Sequence, residues 1–442
     1  EGLMLNEKDN ELLTRVGPGT PMGELFRRFW IPALTSRELH RDGERKRLRI
    51  LGENLVAFRD TNGEVGILQS LCPHRRAPLY WGRNEECGLR CVYHGWKFDV
   101  KGRCVDMPSE PPESTFKEKV SAMSYPAKDH GGFIWVYMGP RDRPELTPQL
   151  PKYEWTQLPE ENLWPNRGAL EANWLQILEG DIDTSHVSHL HRRFDVKSAP
   201  PPQFISRYRE YVAMDGAPRL TVKETPGGFV YGGRRTVGDG EYYWRLTHWL
   251  APYTSQIPGN RSGQAVMRIP MDDENTYSCG ILYSLDRPLS GPDDPLVGGR
   301  GQQQGGTQQV ILRDGYVVDC PRSAQNRENN YGFDLERQRT TNYSGIAGGP
   351  AAEDRAMTEG MGPILDRSEE HLGTSDVAII AARRCLLRMA RELQEGREPH
   401  ATQHPEDFAT TAIDVESRHA DFDDVLAENA SVLGRAIELV SP

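Results

Sequence analysis

At 442 residues with a formal net charge of −11, the chain is long enough for two or three domains and lacks the basic balance needed to neutralise nucleic-acid phosphates. No apolar run nears the ~20 residues that span a bilayer, and the opening residues show neither the basic end nor the apolar core of a secretory signal. The seven cysteines are odd in number and are not spaced as a disulfide framework, so a reducing, cytoplasmic setting is expected.

Gly17-Pro18-Gly19 reads as a turn, because a phosphate loop needs a preceding strand and a Gly-Lys-Ser/Thr ending. Residues 20–30, with Met22, Leu25, Phe26 and Trp30, predict a short amphipathic helix. From 47 to about 139, strand-like runs at 47–50, 55–59, 65–69 and 133–137 alternate with turn signals such as Thr61-Asn62-Gly63 and Lys101-Gly102, which predicts a small β domain.

Inside that domain Cys72-Pro73-His74 is followed, sixteen residues later, by Cys91-Val92-Tyr93-His94. Each arm carries one cysteine and one histidine. Two thiolates can hold one iron of a [2Fe–2S] cluster while two neutral imidazoles hold the other, the mixed ligation of a Rieske centre. A structural zinc site uses the same atoms, but zinc fingers usually pair Cys with Cys and His with His. Cys87 falls within the spacer and reads as an ordinary side chain; Cys104, Cys279, Cys320 and Cys385 read as buried apolar residues.

Residues 107–113 read as a surface loop and 139–151, with four prolines, as a linker. A second domain then opens with a helical stretch at 170–191 and continues with β-like segments at 204–213, 219–224, 228–236, 241–250, 264–270 and 276–284. Residues 285–309, rich in Pro, Gly and Gln, read as an insertion. Helical periodicity returns at 377–393, and a terminal amphipathic segment spans roughly 422–440.

Along 171–191, Asn173, Gln176, Glu179, Asp183, His186 and His189 recur every three or four residues, giving one polar helix face. Three histidines within six residues, next to acids, suggest a metal; a solvated face is the competing reading. With a redox cluster upstream, a second redox metal is the natural destination for its electrons. Two imidazoles and one carboxylate leave positions on Fe(II) open for O2 and substrate. On a regular helix at ~3.6 residues per turn, His189 sits nearer the His186 face than His191 does.

The cluster loops, the linker and the Asp-x-x-His-x-x-x-x-His segment resemble the Rieske non-haem iron oxygenases, above all the phthalate dioxygenase and aryl O-demethylase group. The likeness takes in 16–21 near the start and 107–111 after the cluster, and so nearly the whole chain. It implies an α+β protein: an N-terminal segment at 1–42 that packs on the catalytic domain, an all-β Rieske domain at 43–150, and a catalytic domain at 151–442 with an antiparallel sheet wrapped around helices. It implies iron ligands His186, His191 and Asp354, with a helix break after His186 that swings His191 round. His189 stays open as the alternative histidine, and Glu353, then Asp366, as alternative carboxylates. Asp183 would bridge a cluster histidine, His94, to an iron-ligand histidine.

The resemblance further implies a separate flavin and iron–sulfur reductase that supplies electrons from NAD(P)H, and a homotrimer or two stacked trimers. The expected substrate is an aromatic acid, either dihydroxylated on the ring or O-demethylated. An oxygenase for sterols or N-methyl compounds and a pure electron-transfer protein are the alternatives. A guanidinium grips a carboxylate through two hydrogen bonds. Among the arginines of the β segments (Arg207, Arg209, Arg219, Arg234, Arg235, Arg245 and Arg268), strand alternation turns about two inward, and Arg245, beside Trp244 and His248, is the first choice. Arg207 and Tyr208 join it as substrate candidates, and Tyr231, Tyr243 and Trp249 are candidate aromatic walls.

Overall fold

The computed structural model describes residues 5–194, 208–258, 262–292, 294, 296–297 and 306–433. Its first half is built of short antiparallel strands. Lys46–Ile50, Glu53–Arg59, Val65–Gln69 and Ser124–Tyr125 form one four-stranded sheet, and Arg83–Glu85, Gly88–Arg90, Lys97–Phe98 and Cys104–Asp106 form another. Between them Val56, Phe58, Leu68, Leu79, Leu89 and Phe98 make a small separate core. A third sheet places Phe133–Tyr137 between Trp30–Thr35 and Ala127–His130, so a strand from the first 42 residues joins the β half directly.

Near the start, Thr20 caps the helix Pro21–Phe26 by accepting from the Gly23 N–H, and Pro21 fills the first turn, where its missing N–H costs nothing.

The second half is dominated by an eight-stranded antiparallel sheet in which Leu163–Leu170, Thr276–Ser284, Ser262–Pro270, Thr254–Ile257, Glu241–Leu250, Gly228–Gly238 and Arg219–Thr225 follow one another. Ile413–Ser417 pairs alongside Glu241–Leu250. The helices Trp174–Asp181 and Val377–Gln394 lie against it. The latter buries Ala378, Ile379, Ala382, Leu386, Leu387 and Ala390, a stripe at three- and four-residue steps. One continuous core runs from Trp30 and Trp135 through Trp155 to Trp174 and Trp249, across both halves. Each such side chain contributes roughly 2–3 kcal/mol on burial. Ion pairs stitch the same boundary: Arg47 binds Asp319 through two hydrogen bonds of 3.1 and 2.8 Å, and Arg167 binds Glu38 at 2.6 Å.

The structure departs from the sequence reading in three places. The helix expected over 20–30 spans only Pro21–Phe26, and Trp30 opens a strand. The stretch 170–191 is not one helix: a strand ends at Leu170, a helix spans Trp174–Asp181, and a single 3-10 turn covers His186–Ser188. The helix stops before His186, because Gly180 is followed by short polar residues that bond their own backbone. Asp183 Oδ1 accepts from the Ser185 and His186 N–H groups at 2.8 and 3.4 Å. Tyr208–Met214 is helical where a strand was expected. Tyr208 and Tyr211, three residues apart, both approach Tyr243, which suits one helix face and not the alternation of a strand.

Candidate active site

Two loops of the β half repeat one backbone design. The Cys72 N–H donates to Ala77 O and the Arg76 N–H returns to Cys72 O; likewise the Cys91 N–H donates to Trp96 O and the Gly95 N–H to Cys91 O. The fourth residue after each cysteine turns left-handed, at φ 61° for Arg76 and 78° for Gly95. At the second position a side chain is also excluded by space, since a Cβ on Gly95 would lie 2.6 Å from Pro108 Cγ.

The loops bury Cys72 and Cys91 and leave His74 and His94 half-buried, their rings 4.5 Å apart. Trp96 stacks on His74 at 4.3 Å and anchors its Nε1–H on Ser109. Two soft thiols facing inward and two imidazoles facing outward suit a [2Fe–2S] cluster with one iron on each pair. Cys87 stands apart from them: with Glu86 it forms the left-handed, two-residue turn of a hairpin. Cys104, Cys279 and Cys320 are buried as expected, whereas Cys385 is only half-buried.

The second cluster of ligands forms beyond the break in the long polar stretch. His186, His191 and Asp354 bring ligand atoms within 4.8 Å of one another. His191 Nε2 lies 3.2 Å from His186 Nε2 and 3.1 Å from Asp354 Oδ1, which in turn is 3.6 Å from His186 Nε2. Each ring turns its other nitrogen to a different carboxylate: His186 Nδ1 is 3.5 Å from Asp183 Oδ2, and His191 Nδ1 is 2.7 Å from Glu353 Oε2. Although burial pushes the His191 imidazole down, hydrogen bonds to Asp354 and Glu353 raise it to about 9, so a metal binding at Nε2 would displace a proton from it. Two nitrogens and a carboxylate converging in this way suit Fe(II) with positions left open.

His189 is not part of this group; its ring lies 5.9 Å from that of Tyr343. Glu353 faces the far nitrogen of His191, because consecutive helical side chains point in different directions. Asp366 binds Ser368 instead. The sequence reading named Arg235 only as one of the arginines of the β segments and missed Asn342 and Ser344 altogether. Buried Arg235 donates from Nη2 to the Thr184 carbonyl and so holds the loop that carries Asp183; Asn342 and Ser344 grip Glu353. None of the three has a local motif for its role, so only the fold could reveal it.

Arg207 lies outside the described residues. Arg245 is half-buried and sits over the Tyr208 ring at 4.6 Å. Its cross-strand neighbour Gly233 packs close to Thr184: a Cβ there would come within 3.0 Å of Thr184 Cγ2. Arg245 therefore shares the sheet face turned towards the metal loop. Among the described residues no carboxylate hydrogen-bonds to it; Asp414, its register partner on the neighbouring strand, accepts from Tyr243 Oη, and its charge still reaches the guanidinium. Burial raises the Tyr231 phenol to about 12, and the charges of both Arg245 and Asp183 reach it. Trp244 and His248, expected beside Arg245, sit on the opposite face, where Trp244 stacks on Phe422. Alternation along the strand requires this. Of the candidate aromatic walls, Tyr231 and Trp249 belong to the buried core.

Comparison with known proteins adds a family. A model of the Rieske [2Fe-2S] domain matches residues 29–125, and a model described as LigXa C-terminal domain like matches residues 136–417. The chain is 41% identical over 401 residues to the 3-chlorobenzoate-3,4-dioxygenase oxygenase subunit of Comamonas testosteroni, a match covering 87% of this chain and 88% of that one. It is 38% identical over 407 residues to the phthalate 4,5-dioxygenase oxygenase subunit of Pseudomonas putida, covering 90% and 89%. The solved terminal oxygenase of carbazole 1,9a-dioxygenase from Nocardioides aromaticivorans IC177 shares the fold, with a TM-score of 0.53 at 20% identity over 88% of this chain and 100% of that one.

Proposed function

Because the chain belongs to the Rieske non-haem iron oxygenases, we propose that it is the terminal oxygenase of a multicomponent system that dihydroxylates the ring of an aromatic carboxylate. The observation that carries this reading is Arg245, which among the described residues forms no ion pair or hydrogen bond with a carboxylate and lies on the sheet face turned towards the His186–His191–Asp354 cluster. Two relatives, 41% and 38% identical to it, are named for chlorobenzoate and phthalate, both aromatic acids.

In this reading Cys72, Cys91, His74 and His94 hold the Rieske cluster, and His186, His191 and Asp354 hold the mononuclear iron. When bound, the cluster passes single electrons and the iron activates O2. The protein supplies the rest. Arg245 holds the substrate carboxylate, Tyr208 shields that guanidinium, and Arg235 steadies the metal loop. Asp183, its Oδ1 engaged by backbone N–H groups, has Oδ2 turned to His186, where it would also accept from a histidine of a second cluster and hold the proton between them.

That second cluster belongs to a neighbouring subunit of a homotrimer, or of two stacked trimers. Exposed Trp81, Val92 and Tyr93 surround the cluster loops, while exposed Phe194, Tyr343 and Met357 surround the iron ligands. Two different apolar patches favour a head-to-tail ring. Electrons come from NAD(P)H through a separate flavin and iron–sulfur reductase, in the cytoplasm; no helix among the described residues is long and apolar enough to cross a membrane.

The test is product analysis under air with NADH, a phthalate-type reductase and paired aromatic acids with and without methoxy groups. A ring diol without formaldehyde is expected. Formaldehyde formed in step with NADH use would instead identify an aryl O-demethylase, and oxidation of neither acid would overturn the aromatic-acid reading.

A further inference from the structure

The two histidines of the proposed iron site are held unequally. The link between His186 and Asp183 spans 3.5 Å, and both side chains are about a quarter exposed. His191 is bound at 2.7 Å by Glu353, whose side chain is 4% exposed. Glu353 is itself fixed from behind: its Oε1 accepts from Asn342 Nδ2 at 2.7 Å and from Ser344 Oγ at 2.5 Å.

The donors are unambiguous. Asn342 Nδ2 also donates to the Ile346 carbonyl at 2.9 Å, which sets the orientation of the amide. Ser344 Oγ accepts from the Ile346 N–H at 3.2 Å, leaving its own hydrogen for Glu353. The backbone supports the same contact. The Tyr343 N–H donates to Arg192 O and the Phe194 N–H to Thr341 O, pairing the residues after His191 with the segment that carries Asn342.

We infer that Glu353 is a positioning residue: gripped by Asn342 and Ser344, its carboxylate can only accept, so it keeps the proton of His191 on Nδ1 and leaves the Nε2 lone pair facing His186 and Asp354. The inference rests on the reading of His186, His191 and Asp354 as a metal site. It assigns the carboxylate two jobs, orienting the ring and fixing its tautomer.

The tautomer role makes a prediction that simple packing does not. In Glu353→Gln the amide oxygen must take the side of the two donors, Asn342 and Ser344. Its NH2 then faces His191 Nδ1, which becomes an acceptor, and the ring proton moves to Nε2, where it blocks the metal. In Glu353→Ala, a ring left to water keeps both tautomers within reach. The isosteric variant should therefore bind metal worse than the truncated one.

The experiment is equilibrium dialysis of Co(II) against full-length protein with its cluster intact and its mononuclear site stripped by chelation, with the visible cluster spectrum as the control for folding. Affinity should fall about tenfold in Glu353→Ala and about 100-fold in Glu353→Gln. Glutamine binding as tightly as wild type, or no worse than alanine, overturns the inference. If the glutamine variant does not fold, unchanged affinity in Glu353→Ala overturns it. If wild type binds Co(II) no better than His186→Ala, the metal site itself is misassigned and the inference falls with it.

Discussion

His186 and His191 point their Nε2 atoms at each other across 3.2 Å, while their Nδ1 atoms face separate carboxylates, Asp183 and Glu353. Two lone pairs directed at one point, with Asp354 Oδ1 beside them, repel unless a cation or a proton lies between. Such a site is shaped for a metal before one arrives. It also ties each ligand to a different part of the molecule, His186 to the exposed loop and His191 to the buried core.

Replacing His186 with Ala removes one of three ligand atoms and leaves the cluster loops untouched. The variant should lose its mononuclear iron and its oxygenase activity, while keeping the visible spectrum of the cluster. Iron analysis alongside absorption spectroscopy checks both; retained catalytic iron contradicts the assignment.

Asp183→Asn preserves the Oδ1 acceptor that caps the Ser185 and His186 N–H groups, so the loop should keep its shape. The charge facing His186 is lost. Both metals should remain while NADH-coupled product formation falls by about 100-fold. Turnover at the wild-type rate would remove Asp183 from the electron route.

Arg245→Lys keeps the charge but loses the two-pronged grip, and Arg245→Leu loses both. Removing charge-assisted hydrogen bonds costs roughly 2 kcal/mol or more, about 30-fold in KM for an aromatic acid. Lysine should fall between leucine and wild type. An unchanged KM in the leucine variant would show that the carboxylate binds elsewhere.

Glu179 anchors the helix that leads into the metal loop, accepting from buried Arg367 at 2.8 Å and Arg383 at 2.6 Å. Burial alone would raise its carboxyl, but the two guanidiniums outweigh that and hold it below its usual 4.5. A depressed carboxyl stabilises the fold above its unfolded value, and that contribution disappears as the pH falls through the folded one. Glu179→Gln should destabilise by about 3–5 kcal/mol near neutrality. The gap between variant and wild type in denaturant titrations should close towards acid; a gap independent of pH contradicts the ion-pair account.

How far the sequence speaks depends on how local each feature is. The cluster loops are short, self-contained turns, so Cys72, His74, Cys91 and His94 could be read from spacing alone. The metal loop could not, because periodicity runs through Asp183 and His186 as if the helix continued, whereas Asx and Ser/Thr side chains end it at Asp181. That break is also why His191 and not His189 meets His186. Asp354 came from family likeness, not pattern: its 163-residue separation from His191 is closed only by tertiary packing. Arg245 was reachable by alternation, yet its sequence neighbours Trp244 and His248 face away for the same reason. Asn342 and Ser344 had no signal of their own.

The most direct test of the central claim needs no reductase. Protein reduced beforehand at both centres is mixed once with a benzoate- or phthalate-type acid and 18O2, and the product is analysed by mass spectrometry while the cluster spectrum is followed. Oxidation of the cluster in step with a ring diol carrying two 18O atoms is expected, and both should vanish in His186→Ala. A cluster that reoxidises without labelled product, or a diol that survives in His186→Ala, would contradict electron flow from the Rieske centre to an iron held by His186, His191 and Asp354.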